Sequence, residues 1–165
     1  MNNKAVLISI RPEWCEKIAS GEKTVEVRKT KPKLEPPFKC FIYCTKPSYN
    51  HEDFFVFDAG TEKYKAYYGG GKVIGEFICD RIEDITPAIE GKGFEKDTCI
   101  PLWKLMIYSK GGSIVYGWHI SDLVVYEKPK ILSEFEKCKD CGAYMKWHFL
   151  SRPPQSWCYV EEVEE

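Results

Sequence analysis

No stretch of this chain approaches the roughly 20 consecutive apolar residues that cross a bilayer, so no membrane partner is expected. Charge of one sign is also missing. The 24 Lys and Arg nearly balance the 25 Asp and Glu, for a formal net charge of −1. That balance argues against a general nucleic-acid coat protein. No internal repeat occurs. Gly69-Gly70-Gly71 lacks the Lys-Ser/Thr pair at P-loop spacing and reads as a flexible turn. The opening MNNKAVLISI is too short an apolar run, and too soon followed by Arg11, for a signal peptide. A cytoplasmic location is therefore expected, with the eight cysteines reduced.

What is present suits one globular domain. The 165 residues are 44% hydrophobic, 30% charged and 15% aromatic, enough to build a proper core. The near-neutral total hides an asymmetry. Residues 1–50 carry ten Lys/Arg against five Asp/Glu, whereas residues 51–165 carry fourteen against twenty. Much of the positive excess sits at Arg28, Lys29, Lys31 and Lys33. A local basic strip can meet a few phosphates while the whole chain stays neutral; it is equally the composition of a solvated loop.

Along the chain, Ala5–Ile10 reads as a strand, and Pro12 opens a helix where its missing N–H costs nothing. Trp14 with Ile18 and Cys15 with Ala19 form an apolar stripe, and Gly21 supplies a left-handed cap. Thr24–Lys29 alternates as a second strand with Val25 and Val27 inward. Three prolines make 31–37 a loop. Lys39–Thr45 is apolar on both faces and should be central. Residues 46–71 are too long for a bare loop and should hold a short helix or hairpin. Their seven aromatics (Tyr49, Phe54, Phe55, Phe57, Tyr64, Tyr67, Tyr68) suit either a stacking platform or a cap on the core. Lys72–Glu83 is a strand and Ile85–Gly93 a connector. Asp97–Tyr108 reads as one helix with Ile100, Trp103 and Ile107 on its apolar face. Ser113–Val125 returns as strand, and Pro129 is expected to end the sheet.

The stretch richest in chemistry is Gly21-Glu22-Lys23-Thr24-Val25-Glu26-Val27-Arg28. Strand residues two apart share a face, so Thr24, Glu26 and Arg28 project together. Lys23 stands at the strand entrance, where the chain still turns. Arginine holds a carboxylate or phosphate through two parallel bonds, and lysine acts as a point charge. The plain alternative is a surface ion pair worth about 0–1 kcal/mol.

GEKTVEVR resembles the G-x-K-x-x-E-x-R signature of the ASCH family (activating signal cointegrator-1 homology), and SIRPEWCEKIASGEK resembles that family's strand, R-P turn and short helix. KVIGEFICD and YGWHISDLVVY look like further strands, and the RPPQSWCYVEE ending is similar to a bacterial and prophage-type subgroup. The resemblance implies an α+β fold, a PUA-like mixed β-barrel with peripheral short helices. Residues 1–165 would form one domain, with 129–165 a C-terminal extension packed on the barrel. It implies binding of RNA or a modified nucleoside or nucleotide in a basic cleft beside the signature, lined by Arg11, Lys23, Thr24, Glu26 and Arg28. Trp14, Tyr43 or Trp118 would stack on a base. No cofactor is required for this.

Two alternatives stand beside binding. Some small members of the family hydrolyse the amide of N4-acetylcytidine, using the signature lysine, a threonine and a distant glutamate. Lys23 matches the lysine, but Glu26 stands where the threonine would be. A strand repeat of roughly 6.6 Å separates Thr24 from that position, too far for near-attack geometry. Glu26 would instead act as general base with Lys23 stabilising an oxyanion, and Glu76, Glu83 and Glu90 are candidates for the distant acid. The other alternative is a prophage regulatory or interaction protein. The sequence sets no oligomeric state.

Cys138 and Cys141 form a C-x-x-C pair that a tetrahedral zinc would accept, with Cys158 and His148 as the remaining ligands. The spacing is not a standard zinc finger, and unligated thiols or a redox pair remain open. Cys15, Cys40, Cys44, Cys79 and Cys99 lie in apolar stretches and read as core. His119 and Arg152 are weaker candidates for the cleft, and Trp157 is expected to anchor the C-terminal segment.

Overall fold

The computed structural model describes residues 4–46, 53–58, 61–138 and 149–162. Eight strands are present among them: β1 (Lys4–Ile10), β2 (Val25–Arg28), β3 (Phe38–Cys44), β4 (Asp53–Asp58), β5 (Lys63–Tyr68), β6 (Lys72–Ile85), β7 (Val115–Lys130) and β8 (Trp157–Glu161). Four short helices accompany them: α1 (Pro12–Ala19), α2 (Pro87–Glu90), α3 (Glu95–Thr98) and α4 (Leu102–Tyr108). Six strands form one mixed sheet in the order β2-β7-β6-β3-β1-β8. Only β1 and β3 pair in parallel; the crossover between them carries α1 and β2. β4 and β5 form a separate antiparallel hairpin, one of the two elements expected within 46–71. The aromatic side chains of that segment lie outside the described set.

Both faces of the sheet are covered. One face gathers Val6, Ile8, Ile10, Cys40, Ile42, Cys44, Phe77, Cys79 and Trp118 beneath α1, whose Cys15 and Ile18 point into it. The stripe expected on α1 is real, and each fully buried aliphatic side chain there stabilises by about 1.5–3 kcal/mol. The opposite face packs Leu7, Phe41 and Tyr43 against Phe135 and Leu150. A third cluster joins Val27 and Ile85 to Leu105 of α4 and Val115. β3 is buried on both faces, in keeping with its two apolar rows.

β6 and β7 are long and irregular, with register shifts near Val73/Gly75, Glu76/Ile78 and Cys79/Ile82. Such bulges bend and twist a sheet. The sheet curls but does not close as a hydrogen-bonded barrel: β2 and β8 are its two edges. Side chains bridge the gap instead. Trp157 Nε1 donates to Thr30 Oγ1 at 3.0 Å, and the Lys33 N–H donates to Tyr159 Oη at 2.8 Å. The Trp157 ring also packs on Trp118, with centroids 6.0 Å apart, so this residue does anchor the C-terminal segment.

Several local expectations are corrected. Pro129 does not end the sheet, because β7 continues to Lys130, which pairs with Val73. Pro129 falls in the offset between that pair and Gly75–Val125, where no ladder N–H is required of it. The single helix expected over 97–108 is two. Cys99 adopts φ 57 and Pro101 precedes α4, so the turn cannot propagate. The buried residue of α4 is Leu105; Trp103 and Ile107 are 61% and 71% exposed. Cys99 is partly exposed and stands outside the core, unlike Cys15, Cys40, Cys44 and Cys79. The 85–93 connector contains α2.

Candidate functional site

The end of α1 brings Lys23 to its place. Ser20 and Gly21 close the helix with bonds to Glu16 O and Ile18 O, and Gly21 takes φ 82. The chain then reverses, Lys23 N bonds Lys17 O, and β2 starts at Val25. Lys23 is only 1% exposed. Its ammonium donates to Thr98 O at 2.7 Å and Val25 O at 2.9 Å, and pairs with Glu26 Oε2 at 3.3 Å. The face of Trp14 covers it, 5.2 Å from ammonium to ring centroid. Three donors meet three acceptors, so burial of this charge is compensated.

Glu26 and Arg28 share a face of β2, as strand alternation requires. Both are buried. Arg28 Nη2 pairs with Glu26 Oε1 at 3.0 Å and donates to Ser9 O at 2.6 Å, while Nη1 reaches Ser156 Oγ at 3.4 Å. The signature is therefore a buried cation–carboxylate–cation chain. It is not the solvated strand face that spacing alone permits. Trp118 lies opposite Glu26 in the β2–β7 register, and its side chain is fully buried. Two buried donors in this region have no partner: Arg28 Nε and Trp118 Nε1.

The surroundings respond to this chain. Burial pushes the Tyr108 hydroxyl up, with Arg28 opposing and Glu26 adding to the rise. Burial likewise raises the Cys15 thiol well above its usual range, helped by its hydrogen bond with Cys44. That bond lowers Cys44.

The other predicted residues are elsewhere. Thr24 and Arg11 are exposed. The backbone of Thr24 is engaged, its N–H with Asp97 O and its carbonyl with Ile120 N. Arg11 O accepts the first α1 hydrogen bonds, from Trp14 and Cys15. Tyr43 belongs to the cluster on the opposite face. Arg152 is exposed. Of the candidate distant acids, Glu76 pairs with Lys39 at 3.4 Å and accepts from Tyr126 Oη. Glu83 meets His119 Nε2 at 2.9 Å and Arg81 Nε at 3.3 Å. Glu90 accepts the Thr86 N–H at 3.0 Å. Each has its own partners away from Lys23. His119 is thereby tied into an Arg81–Glu83 cluster, on the face of β7 that alternates away from Trp118.

This arrangement holds charge well and is poorly set for amide hydrolysis. A lysine whose donors are all engaged must give one up to stabilise an oxyanion, and both oxygens of Glu26 are already paired. Of the zinc set, Cys141 and His148 lie outside the described residues. Cys138 is buried, and its N–H bonds Tyr159 O at 3.4 Å, which places it beside the strand that carries Cys158. Among the described residues no group of three His, Cys, Asp or Glu side chains gathers around one point.

Sequence reasoning missed Ser9 O, Thr98 O and Ser156. The first two act through backbone carbonyls, which leave no mark in a side-chain pattern. Ser156 follows Pro154 by two residues, and a lone serine in such a turn carries no side-chain pattern that marks it as a partner of Arg28.

Outside the signature lies a row of cation–aromatic pairs. Lys29 Nζ sits 4.8 Å from the Tyr108 centroid and Lys31 Nζ 4.9 Å from that of Tyr116. Lys31 also pairs with Asp84 at 3.2 Å. Lys33 joins Tyr159 through its backbone. All three lysines are exposed, as is Trp103, which Lys104 approaches at 5.6 Å.

Comparison with known proteins agrees with this picture. The family model described as the ASCH domain matches residues 8–130. A crystal structure of ASCH from Zymomonas mobilis superposes with a TM-score of 0.64 at 20% identity, covering 96% of this chain and 88% of that one. A single-substitution variant of the same Zymomonas mobilis protein gives 0.65 at 20% identity, over 98% of this chain and 91% of that one. At this identity the likeness concerns the fold. A search of curated proteins found no match. The chain belongs to the ASCH domain family, a PUA-like fold associated with RNA binding.

Proposed function

We propose that this protein binds single-stranded RNA, or a modified nucleotide within it, along the segment that follows β2. The observation that carries the reading is Lys29 and Lys31 set over the rings of Tyr108 and Tyr116, followed by exposed Lys33, whose backbone N–H holds the Tyr159 hydroxyl. Cations alternating with aromatic faces are what a single strand requires: charge for the phosphates and flat surfaces for unstacked bases. The three lysines are exposed and the tyrosines half-buried beneath them, whereas Arg28 is withdrawn into the protein. Arg28 therefore supports the site from below and does not meet the backbone phosphates from solvent.

Binding is favoured over hydrolysis because Lys23 and Glu26 are already saturated by each other, Arg28 and two carbonyls. In this reading they hold the edge strand in place.

The test is a salt-dependent titration of a fluorescent single-stranded RNA. Replacing Lys29, Lys31 and Lys33 together by Ala should weaken binding for every sequence. The slope of log K against log salt should fall by about 0.7 per lost phosphate contact. An unchanged affinity and slope would remove the row from the binding surface.

A further inference from the structure

The segment that carries Lys29, Lys31 and Lys33 belongs neither to β2, which ends at Arg28, nor to β3, which begins at Phe38. No sheet ladder fixes its course, and lysines on a loose connector lose binding energy to the ordering that a ligand imposes. This connector is tied down by a strand far away in sequence. The Trp157 indole N–H donates to Thr30 Oγ1 at 3.0 Å, and Tyr159 Oη accepts the Lys33 N–H at 2.8 Å. Pro32, between these two points, is buried. Leu34, just beyond them, packs on the same core cluster that receives Trp157 and Tyr159. The anchors fall on Thr30, Pro32 and the Lys33 backbone, which leaves all three lysine side chains exposed.

The anchoring strand is itself held firmly. Trp157 and Tyr159 stand two apart on β8, share one face and meet edge-on with centroids 5.4 Å apart. β8 pairs with β1, with Trp157 opposite Ile8 and Tyr159 opposite Val6. The residues before it are pinned as well, since the Ser9 N–H donates to Ser156 O at 2.9 Å and Ser9 Oγ to Pro154 O at 2.7 Å. On its other side the connector meets Tyr108, Tyr116 and Asp84 through Lys29 and Lys31. It thus spans the open seam between the two sheet edges, β2 and β8. Both anchoring residues lie beyond residues 8–130, the span that the family model matches.

We infer that Trp157 and Tyr159 are positioning residues for RNA binding: β8 latches the 29–33 connector and holds its lysines in the arrangement that meets the phosphates. This deepens the RNA-binding reading and rests on it. The two residues act through the connector and not on the RNA. They remove conformational freedom from the lysines before the ligand arrives. Loss of the latch should therefore lower affinity while the number of phosphates contacted stays the same. Loss of a lysine lowers both.

Trp157→Phe and Tyr159→Phe keep both rings and remove only the indole N–H and the hydroxyl. Hydrogen exchange of the free protein reads the latch without RNA. Tyr159→Phe should speed exchange of the Lys33 amide by roughly threefold to tenfold, the effect of one hydrogen bond. Titration of a fluorescent single-stranded RNA then reads its consequence. Each variant should bind roughly threefold more weakly, with an unchanged slope of log K against log salt. Thr30→Val removes the acceptor of the Trp157 bond, so it should cost as much affinity as Trp157→Phe, and the two together no more than either alone. Full affinity in the variants, an unmoved Lys33 amide, a reduced salt slope or additive losses at Trp157 and Thr30 would overturn the inference while leaving RNA binding in place. A wild type that binds no single-stranded RNA would overturn the underlying reading and the inference with it.

Discussion

Glu26 Oε1 lies 3.0 Å from Arg28 Nη2, while the other oxygen of the same carboxylate faces Lys23 Nζ at 3.3 Å. One acid thus pairs with two buried cations that come from different parts of the chain's path, the α1–β2 turn and the β2 strand. Their carbonyl partners, Thr98 O and Ser9 O, tie that edge strand to α3 on one side and β1 on the other.

Removing the acid should be far worse than removing a surface charge. Glu26→Gln leaves two like charges facing each other out of water, and breaking a buried pair this way costs about 3–5 kcal/mol. Urea denaturation should register that loss as a lower midpoint. A change within ±0.5 kcal/mol, the range ordinary for surface sites, would mean that water reaches the pair in solution.

Two glycines should fail for different reasons. At Gly75 an added Cβ would lie 2.3 Å from Val124 O, a backbone atom that can yield only if β6 and β7 separate. Gly75→Ala should therefore destabilise by about 1–3 kcal/mol through overpacking. At Gly21 nothing lies within 4 Å, but φ is +82. Gly21→Ala strains only its own backbone, for about 1–2 kcal/mol. Thermal melts of both variants check the sizes. Hydrogen exchange separates the causes, since only Gly75→Ala should speed exchange across the β6–β7 ladder.

Alkali should unfold the protein through its buried thiols. Burial, partly opposed by the Arg81 backbone hydrogen bond, pushes Cys79 from 9.0 up to about 12. Cys40 is raised by burial and then by Cys79. In the unfolded chain these thiols ionise near 9.0, while in the folded protein they keep their protons. Stability is therefore complete below pH 9.0 and falls as pH rises towards 12. Melting temperatures across that window should decline, and Cys79→Ala should decline less steeply. Parallel curves for the two proteins would exclude Cys79 as a source.

Trp103 offers a separable test of the RNA surface. It is 61% exposed and contributes little packing. Trp103→Ala should leave the melting temperature in place and weaken single-stranded RNA binding by about 1–3 kcal/mol, the usual worth of one stacked base. Unchanged affinity would confine the binding surface to the 29–33 segment.

Much of the fold was legible because local chemistry and tertiary context agree. Pro12 and Gly21 punctuate α1 as they would in any helix. The two apolar rows of β3 leave it no place but the middle of a sheet. The 97–108 segment was misread because Ile100, Trp103 and Ile107 have helical spacing, yet Cys99 and Pro101 break the turn and Leu105 is the residue turned inward. Pro129 misled for a related reason: a proline bars regular pairing, and the β6–β7 register shift removes the need for it.

The sequence by itself determined that Glu26 and Arg28 share a face, because side chains alternate along a strand. It also determined that the signature follows a capped helix, because only a glycine takes that turn without strain. Only the tertiary structure decided that the signature is buried. That outcome depends on Thr98, Ser9 and Ser156, which come from three distant segments and act largely through backbone carbonyls. Such groups are alike in every residue, so no pattern of side chains announces them until the chain has curled and brought its edges together.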